Sequence, residues 1–201
     1  YGPDYTPPVE SSRTRALSQQ SEQSASSDPY DYLFKLNDTP GRWTGPDDGS
    51  KIKFYIDYEF LPGGFTSLQC KSAAEEAFQA WTNICGVDFI FSGFILTNES
   101  YVDFFQNNEG YKDSIIIQCH DTHTDRSSED PYLAYGGMFI TSLEGGGGKF
   151  RGVELNSMYG GHIYFNHDHT YWNSASFYDL VAVFKHEIGH VLGLRHSNYN
   201  P

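Results

Sequence analysis

Three histidines in the segment HEIGHVLGLRH have the spacing of a metal site. His186 and His190 are four residues apart, and His196 follows six residues later. On a helix the first two imidazoles project from one face one turn apart, where both reach a single zinc ion at about 2.0–2.1 Å. Gly193 lets the chain turn, so that His196 approaches from another direction. Three nitrogen ligands that leave a fourth position open are typical of catalytic zinc.

Glu187 directly follows the first of these histidines, and a carboxylate there is angled to one side of the His pair. That placement suits a general base, because the carboxylate can contact a zinc-bound water without displacing it. The same carboxyl group can then return the proton to a departing amine. The residues therefore predict zinc-dependent hydrolysis of an amide bond, with Glu187 as the catalytic residue.

A helix beginning at Ser176 is predicted to hold these groups. Ser176 and Asp179 have the spacing of an N-terminal cap. Apolar residues then follow at helical spacing, namely Phe177, Leu180, Val181, Phe184, Ile188, Val191 and Leu192. They fill a sector of roughly 120°, and His186 and His190 lie on about the opposite side. One face of the helix is thus expected in the core and the other in a cleft.

The elements upstream are predicted as a strand, a helix and four further strands. In KIKFYIDY, residues 51–58, Ile52, Phe54, Ile56 and Tyr58 alternate with more polar residues, which predicts a strand with one buried face. The helix is expected from Ser67 to about Ile84, ended by Gly86, with Ala74, Ala77, Phe78, Trp81 and Ile84 at helical spacing. The other strands are expected at 87–91, 114–119, 136–140 and 162–165, with a polar insertion at about 97–112 and an exposed, flexible glycine loop at 145–148.

Composition restricts the class of protein. The 201 residues carry a net charge of −13, which argues against a nucleic-acid partner because phosphate binding needs clustered Lys and Arg. No apolar run approaches the ~18 residues of a membrane span. Residues 1–30 are rich in Ser, Gln and Pro and are interpreted as a flexible tail or linker, before a domain at 31–201.

The three cysteines give only weak evidence on whether the protein is found in an oxidising or a reducing compartment. Cys70 and Cys85 lie near the two ends of the predicted helix, about 22 Å apart at 1.5 Å per residue. They cannot pair with each other. A disulfide would therefore involve Cys119 and one of them, and three free thiols are an equal alternative.

The segment HEIGHVLGLRHS resembles the extended zinc signature of the metzincin metalloproteases. Ser197 after the third histidine and DLVAVFK before the first are most similar to the matrixin branch, while HSNYN is also similar to the serralysins. The upstream matches occur in the family's order: RW at 42–43, KIKFYIDY, a helix with Ala77 and Trp81, VDFIF at 87–91, DSIIIQC at 113–119, and GHIYFN at 161–166 followed by Trp172.

The resemblance implies a secreted zinc endopeptidase acting on extended protein or peptide substrates. His186, His190 and His196 would be the zinc ligands and Glu187 the base. The implied fold is α+β, a twisted mixed five-stranded sheet with two main helices, one of which carries HExxH. An antiparallel edge strand at about Gly136–Ile140 would pair with the substrate.

Some family features have no match in this sequence. Both methionines, Met138 and Met158, precede the zinc motif, and the sequence stops five residues after His196. We therefore expect the C-terminal subdomain with its methionine turn to be truncated. The family's latency motif, which carries a cysteine, has no match in residues 1–50.

Further metal sites are weaker alternatives. His123 and Asp125 fit the start of the family's structural zinc site, but His162 is out of register with its last ligand. The cluster His167, Asp168, His169 could bind a metal or calcium, but a solvated turn after the strand is favoured. The acidic residues at 121–130 could form a calcium loop, but their spacing favours an acidic, mobile loop. For the whole protein, a non-cleaving adhesion module that keeps its zinc, or another zinc amide hydrolase, remains an alternative function.

Overall fold

A computed structural model describes residues 35–36, 39–59, 61–97, 104–105, 107–118, 132–140, 146–167 and 169–196. The predicted tail at 1–30 lies outside the described residues. So do Cys119, His123, Asp125 and the acidic stretch at 121–130.

The described chain includes nine strands and two long α-helices, and residues 104–105 and 107 are also helical. The strands are β1 (Lys35–Leu36), β2 (Thr39–Trp43), β3 (Ile52–Asp57), β4 (Phe89–Ile95), β5 (Ser114–Gln118), β6 (Ala134–Ile140), β7 (Lys149–Phe150), β8 (Val153–Glu154) and β9 (Asn156–Phe165). The helices are α1 (Ser67–Cys85) and α2 (Phe177–Val191), and short 3₁₀ turns lie at Gly45–Asp48, Pro62–Gly64, Glu109–Tyr111 and Thr170–Asn173.

Seven strands form one mixed sheet in the order β1-β2-β9-β5-β3-β4, with β6 also paired to β9. The pairs β2–β9, β9–β5, β5–β3 and β3–β4 are parallel, and β6 is antiparallel to β9. The five predicted strands are all present, β4 and β9 with different bounds. The short strands β1 and β2 extend the sheet beyond them, and β7 and β8 form a separate hairpin. The mixed sheet with two main helices confirms the predicted fold class.

Strand β3 shows the predicted alternation and where it stops. Ile52, Phe54 and Ile56 are buried. Tyr58 is 50% exposed, so its predicted burial was wrong. The reason lies in Asp57, whose buried carboxylate accepts the amide N–H groups of Glu59 and Thr97 and so turns the chain out of the sheet.

Helix α1 begins and ends where its local sequence predicts. Thr66 and Gln69 form a capping box at its start, and Gly86 ends it with φ +72°. Ile84 was predicted to face inward but is 76% exposed. The whole last turn, residues 83–86, is exposed, so it extends past the layer against which the first turns pack.

The predicted polar insertion at 97–112 contains a second small core. Phe104 and Phe105 are buried on the sheet face away from the helices, packed against Ile116 of β5. Tyr111 contacts the ring of Phe104. This segment therefore covers part of the outer face of the sheet. The polar residues around Phe104 and Phe105 had indicated an insertion without buried residues.

The glycine loop at 145–148 is also more ordered than predicted, in the part described. The amide of Gly147 donates to the Leu155 carbonyl, and that of Leu155 donates to Gly148. Gly147 is buried, and a Cβ there would overlap the carbonyl of Asn156. No helix in the described ranges is long and apolar enough to cross a membrane.

The main core lies between the sheet and the two helices. Helix α2 packs against α1, β6 and β9. The buried stripe of α2 consists of Leu180, Val181, Phe184, Ile188 and Val191, as its helical spacing predicts. The opposite face of α2 is left for the histidines.

Candidate metal centre

Both ends of α2 are fixed by local hydrogen bonds. The Ser176 hydroxyl accepts the amide N–H of Asp179 at 3.3 Å, and the Asp179 carboxylate accepts the amide of Ser176 at 2.7 Å. Such a capping box supplies acceptors for backbone N–H groups of the first turn that have none within the helix, and it stabilises the helix by about 1 kcal/mol. It also lowers the pKa of Asp179, through its hydrogen bonds to Ser176.

The chain turns sharply after the helix. The amide of Gly193 donates to the His190 carbonyl, and the amide of Leu194 donates to Gly189. Gly193 has φ +102°, a backbone conformation that favours glycine. A Cβ there would come within 3.0 Å of the buried Met158 side chain. The turn brings His196 back toward α2.

The imidazoles of His186, His190 and His196 converge. Their Nε2 atoms are separated by 3.2 Å (186–190), 3.0 Å (186–196) and 3.1 Å (190–196). Nitrogens that share one tetrahedral ion at about 2.0–2.1 Å lie about 3.3–3.4 Å apart. The donor set and its spacing therefore fit a zinc ion without rearrangement of the backbone. Among the described residues this is the one group of three or more His, Cys, Asp or Glu close enough to hold a metal.

The tautomer of His190 follows from its neighbour. Its Nδ1 lies 2.7 Å from the Leu194 carbonyl oxygen, which only accepts hydrogen bonds. Nδ1 must therefore carry the proton, and the Nε2 lone pair points into the triad. A backbone carbonyl that orients a histidine in this way is a common support for a metal ligand.

The surroundings of His186 and His190 favour their neutral forms. The pKa of His186 is lowered to about 4, mainly by desolvation and to a smaller extent by the neighbouring His190 and His196. Burial also lowers the pKa of His190, against a raising effect of the Leu194 hydrogen bond. Neutral imidazoles are the form that binds metals.

Glu187 is placed differently from its neighbours. Its side chain is only 6% exposed, whereas His186 and His196 are exposed. Burial raises the pKa of Glu187 to about 7, partly opposed by a hydrogen bond from the Gly136 amide of β6. Gly136 permits this approach, because a Cβ there would overlap the Glu187 backbone carbonyl.

Sequence reasoning did not identify Gly136 as a partner of Glu187. Nothing local marks the contact, since the two residues are 51 positions apart in the sequence. It placed Trp81 only on the apolar face of its helix and gave no role to Trp43, although both lay within the motifs that carried the resemblance. Their indole N–H groups donate to carbonyls of α2.

The remaining candidates do not join the triad. His162 is buried on the outer face of the sheet, its ring near Tyr135 and Phe139 at centroid distances of 5.5 and 5.6 Å. His169 caps the 3₁₀ turn at 170–173 through its Nδ1. Cys70 is a buried and Cys85 an exposed free thiol. Asp168 and two of the residues considered for a second zinc, His123 and Asp125, lie outside the described residues.

Comparison with known proteins points to one family. The matrixin family model matches residues 143–201, which include β9, α2 and the histidine triad. Interstitial collagenase of Equus caballus is 30% identical over 125 residues, 62% of this chain and 21% of the collagenase. Matrix metalloproteinase-18 of Xenopus laevis is 24% identical over 127 residues, 63% of this chain and 21% of its own.

A shorter match has a higher sequence identity. Karilysin of Tannerella forsythia is 48% identical over 40 residues, which are 20% of this chain and 8% of karilysin. The chain spans about a fifth of the length of the collagenases it matches. Together with the histidine triad on a capped helix that packs under a mostly parallel sheet, these matches make the chain similar to the matrixin branch of the metzincins.

Proposed function

We propose that this chain is the zinc-dependent catalytic domain of an endopeptidase that acts on extended polypeptides outside the cell. The observation that carries the proposal is the convergence of three histidine Nε2 atoms to within 3.0–3.2 Å of one another. His186, His190 and His196 would hold the metal. When bound, zinc supplies a Lewis acid that polarises a carbonyl and acidifies water.

Glu187 is the residue proposed to move the proton. A carboxyl group with a pKa near 7 exchanges a proton readily at neutral pH, which suits a group that first accepts and then donates. A cation at the triad favours the ionised carboxylate and opposes the effect of burial. Glu187 would therefore begin the reaction as a base.

Strand β6 is proposed to bind the peptide. In an antiparallel pair, successive residues direct their backbone groups alternately toward and away from the partner strand. The Gly136 amide donates to Glu187, which indicates that it points away from β9. Ala134 and Met138, two residues to either side, then direct their amides to the same edge. An extended substrate paired along this edge would pass beside the proposed base.

Replacement of Glu187 tests this proposal. Glu187→Ala should keep the metal, because the three histidines are unchanged, and should reduce cleavage of an unstructured protein by about 10²–10⁴-fold. Zinc is measured by elemental analysis, and cleavage is measured with and without a chelator. Glu109→Ala, which alters an exposed carboxylate, is the matched control and should cleave normally.

Two results would contradict the proposal. Equal cleavage by wild type and Glu187→Ala would remove Glu187 from the mechanism. Bound zinc without any chelator-sensitive cleavage would instead favour a binding module that has kept the metal site.

A further inference from the structure

The three tryptophans of the chain make the same kind of hydrogen bond. Each indole N–H donates to a backbone carbonyl: Trp43 to Val191 at 3.0 Å, Trp81 to Lys185 at 2.9 Å and Trp172 to Asn166 at 2.9 Å. The first two acceptors belong to α2. One immediately precedes His186, and the other immediately follows His190.

Trp81 reaches α2 from α1. Besides the bond to Lys185, its ring lies beside Gly189, where a Cβ would come within 3.2 Å of the ring. Lys185 and Gly189 are four residues apart and so lie on one stripe of the helix. That stripe is displaced by one residue from the stripe that carries His186 and His190. The indole therefore contacts the helix directly beside the histidines.

Trp43 reaches α2 from β2. It is 9% exposed, and its ring would lie 3.3 Å from a Cβ at Gly161. Its acceptor, the Val191 carbonyl, belongs to the last turn of the helix, where carbonyls lack an intrahelical donor. The indole N–H replaces that donor and ties the end of α2 to the sheet.

The two attachments lie on different sides of α2. Lys185 and Val191 are six residues apart, which is about 9 Å along the axis and about 240° around it. Two attachments so arranged resist both rotation of the helix about its axis and sliding along it. Rotation would turn His186 and His190 away from His196, which approaches from the turn at Gly193.

We propose that Trp81 and Trp43 are positioning residues that hold α2 in the orientation in which the three Nε2 atoms converge. The inference rests on the proposed zinc site and adds residues that would not touch the metal, the substrate or the reacting atoms. Mutation of a residue that orients a metal ligand typically weakens metal affinity 10–100-fold.

The test compares Trp81→Phe with Trp172→Phe. Both variants lose an indole N–H and part of an aromatic ring, but the bond of Trp172 goes to Asn166 and not to α2. We expect Trp81→Phe to weaken zinc binding about 10-fold in competition with a chelator, and to shift the visible spectrum of the Co²⁺-loaded protein. Trp172→Phe should keep the wild-type spectrum and bind zinc within about 2-fold of wild type. Trp43→Phe should follow Trp81→Phe.

Equal zinc affinity and Co²⁺ spectra for wild type and Trp81→Phe would overturn the proposal, as would equal changes in Trp81→Phe and Trp172→Phe. If Trp81→Phe does not fold, Gly189→Ala gives a second test. Its added methyl presses on the Trp81 ring, while alanine favours the helix. Weaker zinc binding is expected, and unchanged binding would count against the proposal. A wild-type protein that binds no zinc would instead contradict the proposed function.

Discussion

The histidine triad and His162 lie on opposite faces of the sheet and share one property. Burial is the main cause that lowers the pKa of His186, to about 4, and that of His162, to about 3. Yet the imidazoles of the triad converge on one another, whereas the ring of His162 lies over Gly137 between the side chains of Tyr135 and Phe139. A lowered pKa therefore does not separate a metal site from a core histidine, and the geometry of the lone pairs does.

The largest expected difference between the two faces is in metal binding. His190→Ala removes one of three donors and should weaken zinc binding by more than the 10–100-fold typical of losing an orienting partner. His162→Phe keeps an aromatic ring in the same place and should leave zinc binding unchanged. Chelator competition measures both affinities, and similar values for the two variants would remove the distinction.

The formation of α2 could be predicted from sequence because its determinants are local. Ser176, Asp179 and Gly193 lie within a turn of the helix ends, and the apolar spacing shows which side faces the core. His186 and His190 follow from the same spacing.

Contacts between distant segments could not be predicted in this way. The burial of Glu187 depends on the approach of β6 at Gly136, and the covered outer face depends on Phe104 and Phe105 folding back onto β5. Ile84 and Tyr58 fit their local patterns but lie where the packed layers have ended. Local periodicity shows which face of an element is apolar, and tertiary packing decides how far along the element that face is covered.

The second difference concerns acid stability. In the folded protein His162 has a pKa near 3, below the ordinary value of 6.5, so it stays neutral where the unfolded chain takes up a proton. Its contribution to stability is complete above pH 6.5 and is lost as the pH falls toward 3. Between pH 7 and pH 5 the loss should be about 2 kcal/mol.

Denaturant unfolding of wild type and His162→Phe at pH 7 and pH 5 measures this effect. The comparison is made with chelator present, so that metal release from the triad does not contribute. His162→Phe should lose less stability over this interval, because it has no group at position 162 to protonate. Parallel losses in the two proteins would mean that other groups set the acid sensitivity.

Two adjacent glycines of β9, Gly160 and Gly161, allow the packing on the two faces of the sheet to be compared. A Cβ at Gly161 would come within 2.6 Å of the Val191 side chain and 3.3 Å of Trp43, both on the α2 side. The three atoms nearest to a Cβ at Gly160 all belong to the ring of Phe105, at 3.0–3.4 Å, on the outer face. Because overpacking a well-filled core costs about 1–3 kcal/mol, Gly161→Ala should lie in that range.

Gly160→Ala should cost less than Gly161→Ala, since Phe105 belongs to a smaller cluster and its ring can shift into a thinner layer. The free energy of unfolding in denaturant measures both, and zinc affinity adds a second readout. Only Gly161→Ala pushes on Val191 and Trp43, the two groups bonded at the end of α2, so only it should also weaken zinc binding. If both alanines changed stability and zinc affinity equally, the two faces of the sheet would be mechanically coupled, and the triad would depend on the outer core as much as on the helix packing.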